Sequence, residues 1–442
     1  MRLFFAILIG KLLKFFGGFV GRSTDLPGNI ALKICPDLLK RLEVKGKVIA
    51  VTGSNGKTTT SNMIAHVLRE TEGKRGKIVV NNKEGANIIS GCTTTLIGAS
   101  SLRGKVRADY IVLEVDERHS RLVFKDLHLD YFLINNLLRD QVVRNGHPDI
   151  ILDKIQRAIQ KDTFLILNAG DPITAFVSEE NKRAYFGMAE TKFSTKECEN
   201  ITNDAKLCPK CFGELKYNFY HYNHIGSYYC ENCGYKAPKA DFLANEVDFE
   251  TGEFKINDVS FKTDYLTPFH IYNMTAVSAL CCSLGLELQE VARAISSFKI
   301  SKERFESFDV LGRKASLMLT KQNSVSLDQS ISYFLRQACP KTAIFYVNNV
   351  IYLENKDISW LYDVSFERLK GEADYIICTG SRCYDTKARI KLAGFDEDRL
   401  FAVPELDNIK EALDKTKGDI YILAASAFGN EDGILDALKK IK

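Results

Sequence analysis

The sequence predicts an α/β protein with a parallel sheet, a second α/β domain behind it and a small cysteine-rich insertion. Three observations carry that prediction. Short β-branched runs alternate with helical stretches from position 47 onward, a Gly-rich turn joins the first run to the first helix, and two CxxC pairs interrupt the rhythm near position 208. Strands that alternate with helices imply a parallel sheet covered on both faces.

The expected elements follow in chain order. Residues 1–45 form an N-terminal helical segment, apolar and aromatic from Met1 to Val20 but interrupted by Lys11 and Lys14. Its longest uncharged run, Leu3 to Gly10, is too short to span a bilayer. Gly17 to Arg22 is a poor cleavage site for a signal peptide. The segment therefore reads first as an amphipathic helix packed on the body of the protein, second as a weak membrane-surface contact, and last as a targeting segment.

Residues 46–305 form a central domain. Val48–Val51, Ile78–Val80, Tyr110–Leu113, Tyr131–Ile134 and Phe164–Leu167 are its expected strands, with helices near Ser61 and over Ile150–Gln160. The Tyr-, Asn- and Cys-rich stretch within 205–240 reads as an insertion. Residues 306–442 form a Rossmann-like C-terminal α/β domain, with strands over Thr342–Val347, Tyr375–Thr379 and Ile420–Ala424 and a helix over Asp385–Leu392.

Length and composition agree. A chain of 442 residues exceeds what one core organises, and 45% hydrophobic with 26% charged residues is ordinary for a globular protein. A net charge of +4 gives no reason to expect nucleic acid. Of twelve cysteines, the four in two CxxC pairs read as metal ligands in a reducing cytoplasm, since a chain of this size needs no disulfide framework.

The turn Thr52-Gly53-Ser54-Asn55-Gly56-Lys57-Thr58-Thr59 carries the strongest chemistry. Small residues let backbone N–H groups wrap a phosphate, and the helix that follows adds its positive dipole end. Lys57 is placed to reach β- and γ-phosphates of ATP, and the Thr58 hydroxyl to ligate Mg²⁺. Leu113-Glu114-Val115-Asp116-Glu117 puts acids at the C-terminal end of a strand, the edge of a parallel sheet that faces ligands. A carboxylate there, Glu114 or Asp116, can hold the magnesium ion.

Cys208, Cys211, Cys230 and Cys233 have the spacing CxxC-x18-CxxC of a zinc ribbon. Four thiolates complete a tetrahedral shell, so this zinc is structural. His221 and His224 lie between the pairs and are expected on the surface or in packing.

The phosphate loop departs from the general pattern by having Val51 where a glycine is usual. In that form it resembles the loop of the Mur ligases and folylpolyglutamate synthetases. The resemblance narrows to the MurT-type subunits of lipid II isoglutaminyl synthase through Gly21–Gly28, Asn81–Asn87, Leu113–Glu117, Asn135–Gln141, the Cys₄ ribbon, Ile271-Tyr272-Asn273 and Asp357–Asp363. Peptide-adding Mur ligases usually show Asp-His where this chain has Asp140-Gln141. Departures from the MurT pattern fall at Asn323–Ser326, Leu353–Lys356 and Glu303–Glu306.

The resemblance implies an ATP-dependent amidoligase that converts the D-isoglutamate α-carboxylate of lipid II to an amide through an acyl-phosphate. It implies Glu114 as the magnesium ligand, Asn168, Asn273 and Arg304 at the nucleotide, and ammonia from a GatD-like glutaminase in a heterodimer. Asp357 matches the aspartate thought to orient the partner's catalytic histidine. The implied location is cytoplasmic, at the inner face of the membrane where lipid II lies. A stand-alone ligase for another carboxylate and a non-catalytic nucleotide-binding scaffold are the alternatives.

Overall fold

A computed structural model describes residues 1–18, 24–82, 86–140, 146–264, 266–299, 305–348, 358–425 and 432–441. The chain divides into two compact units. The first comprises Met1–Leu138, His147–Lys196 and Ala205–Phe298, and the second Arg139–Gly146, Glu197–Asp204 and Lys299–Lys442.

The first unit is built on strands β1 (Lys47–Thr52), β2 (Val79–Asn81), β3 (Tyr110–Glu114), β4 (Tyr131–Ile134), β5 (Phe164–Asn168) and β6 (Arg183–Met188). A separate hairpin, β7 (Lys216–Tyr222) and β8 (Ile225–Tyr229), precedes β9 (Phe242–Asn245), β10 (Glu253–Ile256) and β11 (Val259–Lys262). The nine strands other than the hairpin form one sheet in the order β11-β10-β9-β6-β5-β4-β1-β3-β2. β1 lies between β3 and β4, parallel to both, with Val51 opposite Glu114 and Thr52 opposite Ile134. Every residue of β1 after Lys47 is buried, which is why this run is continuously apolar rather than alternating.

The principal helices of this unit are α1 (Arg2–Gly17), α2 (Leu26–Ile34), α3 (Lys57–Glu70), α4 (Ile89–Ala99) and α5 (Pro268–Ser283). The sheet is parallel, as expected, through β2, β3, β1, β4, β5, β6 and β9, and turns antiparallel at one edge, where β10 pairs with both β9 and β11. Those strands have four residues each and turn at Asn257, whose φ of 51° is left-handed. Hairpins this short make antiparallel neighbours without a crossover helix. α3 begins at Lys57 rather than near Ser61, because left-handed Gly56 (φ 84°) stops the loop and starts the helix in one step. α1 buries Ala6, Ile7 and Gly10 as expected of a packed helix. It is not amphipathic, however, since Phe4, Phe5, Leu12, Phe15 and Phe16 on its other side are exposed.

The second unit is a six-stranded sheet in the order β12-β13-β17-β14-β15-β16. Its strands are β12 (Phe305–Val310), β13 (Arg313–Thr320), β14 (Lys341–Val347), β15 (Tyr375–Thr379), β16 (Leu400–Val403) and β17 (Asp419–Ala425), parallel except for the β12–β13 hairpin. α6 (Ser324–Leu335) and α7 (Cys383–Leu392) flank it. Two short excursions from earlier in the chain belong here. Asp140 accepts a 3.1 Å hydrogen bond from Asn323 and pairs with Lys321. Asn200 donates to Asp328 at 2.7 Å, and the buried Asp328 carboxyl, pushed up to about 6 by its burial, also accepts from Ser365.

Candidate active site and metal centre

The loop between β1 and α3 is clamped from behind by two asparagines at the end of β4. Asn136 accepts from the Ser54 N–H through its carbonyl and from the Asn55 N–H through its side chain, each at 2.9 Å. Asn135 donates to the Thr60 hydroxyl at 3.0 Å. The Ser54 hydroxyl bridges to Leu138, donating to its carbonyl at 2.7 Å and accepting from its N–H at 2.8 Å. Glycine is required at position 56, where φ is 84° and an added Cβ would lie 2.5 Å from Asn273 Oδ1. The close approach of helix α5 to the loop therefore explains both Gly56 and Asn273.

Lys57 is buried at the first turn of α3. Its ammonium donates to the Gly53 carbonyl at 2.5 Å and to Glu117 Oε1 at 2.7 Å, and the same carboxylate oxygen accepts from the Gly53 N–H at 3.2 Å. Thr58 is half-buried beside it, while Thr52 and Thr59 are buried, Thr52 donating to the Val115 carbonyl at 2.8 Å.

The acids after β3 separate sharply. Asp116 pairs with Arg118 at 3.2 Å. Burial pushes its carboxyl up, but the hydrogen bonds and charge of Arg118 outweigh that and hold it below the ordinary range. Glu114 is held differently. Asn82 braces its backbone in both directions at 2.8 Å, and Asn87 donates to Oε1 at 3.1 Å. The other oxygen, Oε2, is buried without a hydrogen-bond partner. A buried carboxyl oxygen with no hydrogen-bond partner beside a phosphate loop fits a magnesium ligand.

Two further buried polar atoms near the loop also lack partners, Asn135 Oδ1 and Asn273 Nδ2. Asn168, by contrast, has used its amide. It donates to the Asn135 carbonyl at 3.0 Å and accepts from the Gly170 N–H at 2.9 Å, so it shapes the turn after β5. Arg304, Gln141 and Asp357 lie outside the described residues.

The four cysteines converge, their Sγ atoms all within 4.8 Å of one another. Cys208 and Cys233 are 3.6 Å apart, and Cys211 and Cys230 3.5 Å. Zn–S bonds of about 2.3 Å in a tetrahedron separate sulfurs by about 3.8 Å, so the cluster is compatible with zinc. The two knuckles are built alike. Cys208 donates its N–H to the Gly213 carbonyl and Cys230 to Tyr235, each at 2.7 Å. The left-handed residue after the second cysteine is Gly234 in one knuckle and, without a glycine's freedom, Phe212 (φ 60°) in the other.

The hairpin β7–β8 carries the ribbon onto the turn after β5. Gly226 donates to the Gly170 carbonyl at 2.9 Å and Tyr235 to the Pro172 carbonyl at 2.7 Å. His224, at the hairpin tip, is wholly buried rather than on the surface, with Nε2 3.3 Å from Asp171 Oδ1. No hydrogen bond joins the two groups. His221 packs its ring 5.7 Å from that of Tyr272, and burial pushes its imidazole down to about 4. Neither histidine belongs to the cysteine cluster.

Comparison with known proteins places this geometry. Residues 51–281 match the Mur ligase middle domain, and residues 319–427 match the MurT ligase C-terminal domain. The MurT subunit of lipid II isoglutaminyl synthase (glutamine-hydrolyzing) from Staphylococcus aureus is 32% identical over 400 residues, covering 89% of this chain and 88% of that protein. The chain belongs to the MurT family of Mur ligases.

The MurT subunit from Streptococcus pneumoniae is 28% identical over 425 residues, covering 95% of this chain and 93% of that protein. Solved structures share the fold at lower identity. A pseudomurein peptide ligase type C from Methanothermus fervidus has a TM-score of 0.71 at 20% identity, with 94% of this chain and 84% of that one covered. The MurF ligase from Thermotoga maritima, solved with ADP, has a TM-score of 0.60 at 17% identity over 94% of this chain and 84% of that one. As a MurT-family Mur ligase, the chain is an ATP-dependent amide-forming enzyme of peptidoglycan biosynthesis.

Within this MurT chain the structure adds residues that the motifs alone did not single out for the site. Glu117 neutralises Lys57, Asn82 and Asn87 set Glu114, and Asn135 and Asn136 hold the loop. Their signal in the sequence is adjacency, since each lies within a stretch shared with the MurT pattern.

Proposed function

We propose that this chain phosphorylates the free α-carboxylate of D-isoglutamate in the lipid II stem peptide, and that ammonia then displaces the phosphate to give D-isoglutamine. The ammonia comes from glutamine, hydrolysed by a GatD-like glutaminase that forms a heterodimer with the chain. The names of the MurT relatives support the substrate class. The observation that carries the chemistry is the buried, partnerless Oε2 of Glu114 beside a phosphate loop whose lysine is held in waiting by Glu117.

The residues divide the work. The N–H groups at the start of α3, from Gly56 to Thr59, cradle the ATP phosphates, and Thr52, Gly53 and Asn55 set the turn that presents them. Lys57 exchanges Glu117 for the β- and γ-phosphate oxygens and neutralises charge as the phosphoryl group moves. Thr58 and Glu114 hold the magnesium ion, which supplies charge neutralisation on the transferring phosphate. Asn273, Asn168 and Arg304 border the nucleoside. The substrate carboxylate attacks the γ-phosphorus and ADP leaves. Ammonia then attacks the acyl carbon, phosphate departs with the C–O electron pair, and the nitrogen sheds a proton.

Cys208, Cys211, Cys230 and Cys233 hold a structural zinc ion. Residues 1–45, 46–305 and 306–442 are the N-terminal, ATP-binding and C-terminal domains, and the enzyme works in the cytoplasm at the inner membrane face. Asp357 accepts a hydrogen bond from the glutaminase histidine and fixes its tautomer.

The decisive assay supplies the complex with lipid II, ATP and either glutamine or ammonium salt. Wild type should form the amide and ADP with both. Asp357→Asn should retain ammonium-driven ligation but lose glutamine-driven ligation steeply, by up to about 10⁴-fold if the wrong tautomer costs what it does in serine proteases. Equal loss with both nitrogen sources would move Asp357 to the ligase site, and no product from wild type would reject the reading.

A further inference from the structure

Helix α1 has no polar face. Its inner side buries Ala6, Ile7, Gly10 and Gly17, and an added Cβ at Gly10 would sit 3.2 Å from the Ile97 side chain of α4. Its outer side should then be polar, as on an ordinary surface helix. Instead Phe4, Phe5, Leu12, Phe15 and Phe16 are 41%, 49%, 48%, 66% and 61% exposed. At 100° per residue these five and half-buried Leu8 fall within an arc of about 120°, centred opposite the buried stripe. Phe4 meets Phe5 edge-on at 5.6 Å, and Phe15 meets Phe16 at 5.3 Å, so each end of the face carries an aromatic pair.

The charges lie on the margins of that arc. Lys11 and Lys14 flank it on one side and Arg2 on the other, and no residue of Arg2–Gly17 is acidic. Lys11 donates to the Gly98 carbonyl at 3.2 Å, and Lys14 Nζ lies 2.7 Å from where a Cβ on Gly98 would be. Burial and then the neighbouring charges of Lys14 and Arg107 push the Lys11 ammonium down, which places three cations on one rim. No helix among the described residues is long and apolar enough to cross a membrane.

We propose that α1 lies in the plane of an anionic phospholipid surface, with its aromatic face in the acyl boundary and its lysines and arginine at the headgroups. A solvent-facing aromatic arc bounded only by cations matches such a surface in both polarity and charge. A protein partner would leave the cationic rim without a counter-charge that this chain supplies. The inference deepens the proposed function, because a lipid-linked acceptor is presented at that surface, and it can fail separately from it.

The test mixes the full chain with phosphatidylglycerol vesicles or phosphatidylcholine vesicles and measures co-sedimentation. Wild type should bind the anionic vesicles at least about tenfold more tightly than the zwitterionic ones, and 0.5 M salt should erase most of the difference. The double variant Phe15→Glu/Phe16→Glu should lose vesicle binding and keep its thermal midpoint, since both rings are exposed. In a Phe15→Trp variant, emission should shift to the blue on anionic vesicles alone. Absence of wild-type binding, or equal binding by the double variant, would overturn the proposal. So would a wild-type dimer that the double variant dissociates, which would make a second copy the cover. With a lipid-free stem-peptide substrate the double variant should match wild type, and with vesicle-embedded lipid II it should fall. If neither substrate is amidated while vesicle binding holds, the proposed function fails and this inference stands.

Discussion

The phosphate-loop region and the cysteine centre are both built from short, tightly turned backbone, yet one is left incomplete and the other closed. Around the loop, Glu114 Oε2, Asn135 Oδ1 and Asn273 Nδ2 are buried without partners, and Lys57 is neutralised by a carboxylate that can be exchanged. At the ribbon four sulfurs converge, with no fifth ligand group in the cluster among the described residues. Leaving a buried polar group unpaired costs about 1–3 kcal/mol, so three such atoms gathered beside one loop invite a ligand that completes them. A filled tetrahedral shell has nothing left to offer a substrate. Incompleteness therefore marks the proposed chemistry, and closure marks the proposed support.

The contrast predicts unequal consequences. Lys57→Ala should have the largest, lowering ATP turnover by about 10³-fold or more because loss of the ammonium removes transition-state charge compensation. The circular dichroism spectrum should keep its shape, while the Glu117 carboxylate left unpaired lowers the thermal midpoint. Turnover near wild type would break the comparison at its root. Glu114→Ala should come next, at about 10²-fold on turnover together with a raised magnesium requirement, read from the Mg²⁺ dependence of ADP release. A loss that no magnesium concentration alters would mean that Glu114 braces the Asn82–Asn87 segment rather than a metal.

Both regions were partly legible in the sequence, for different reasons. The loop and the cysteines announce themselves because their spacing is local. The strands of the first unit were readable too, since buried parallel strands are continuous β-branched runs. What escaped was contact between distant segments. Glu117 meets Lys57 across 60 residues and Asn136 meets Asn55 across 81, and no periodicity encodes such pairings. The burial of His224 was unreadable for the same reason, as it follows from where the hairpin tip docks. The antiparallel edge β9–β11 is hard to read because its strands have four residues each and one of them, β10, carries charges on alternate positions, which resembles loop composition. α1 was read as amphipathic from Lys11 and Lys14, but those lysines sit at the margin of its exposed face.

Glu117→Gln tests whether the open site is held in reserve. Lys57 and Glu117 are 10% and 8% exposed, so removing one charge strands the other in a buried place, at a cost of about 3–5 kcal/mol. The thermal midpoint should drop in the nucleotide-free protein and recover substantially with saturating ATP and Mg²⁺, whose phosphates replace the missing carboxylate. Turnover should fall far less than in Lys57→Ala. An equal drop with and without nucleotide would make the pair a structural one, and the distinction between the two regions would narrow.

The smallest effect on the reaction is expected from the ribbon. Cys230→Ser, or removal of zinc by a chelator, should lower the thermal midpoint and release close to one zinc per chain by metal analysis. The rate at saturating ATP should hold, because a filled Cys₄ shell has no position open to substrate. The ribbon is not remote from the nucleotide, however. Its hairpin seats Gly226 on Gly170, and its Tyr222 ring lies 6.0 Å from that of Tyr272, the neighbour of Asn273 on α5. Loosening that contact should let Asn273 drift from Gly56 and raise KM for ATP by a few fold, which at about 1.4 kcal/mol per tenfold is well under the cost of a lost phosphate contact. A ribbon variant with a collapsed kcat would show that the closed centre takes part in the chemistry. One with unchanged midpoint and no bound zinc would remove the centre altogether.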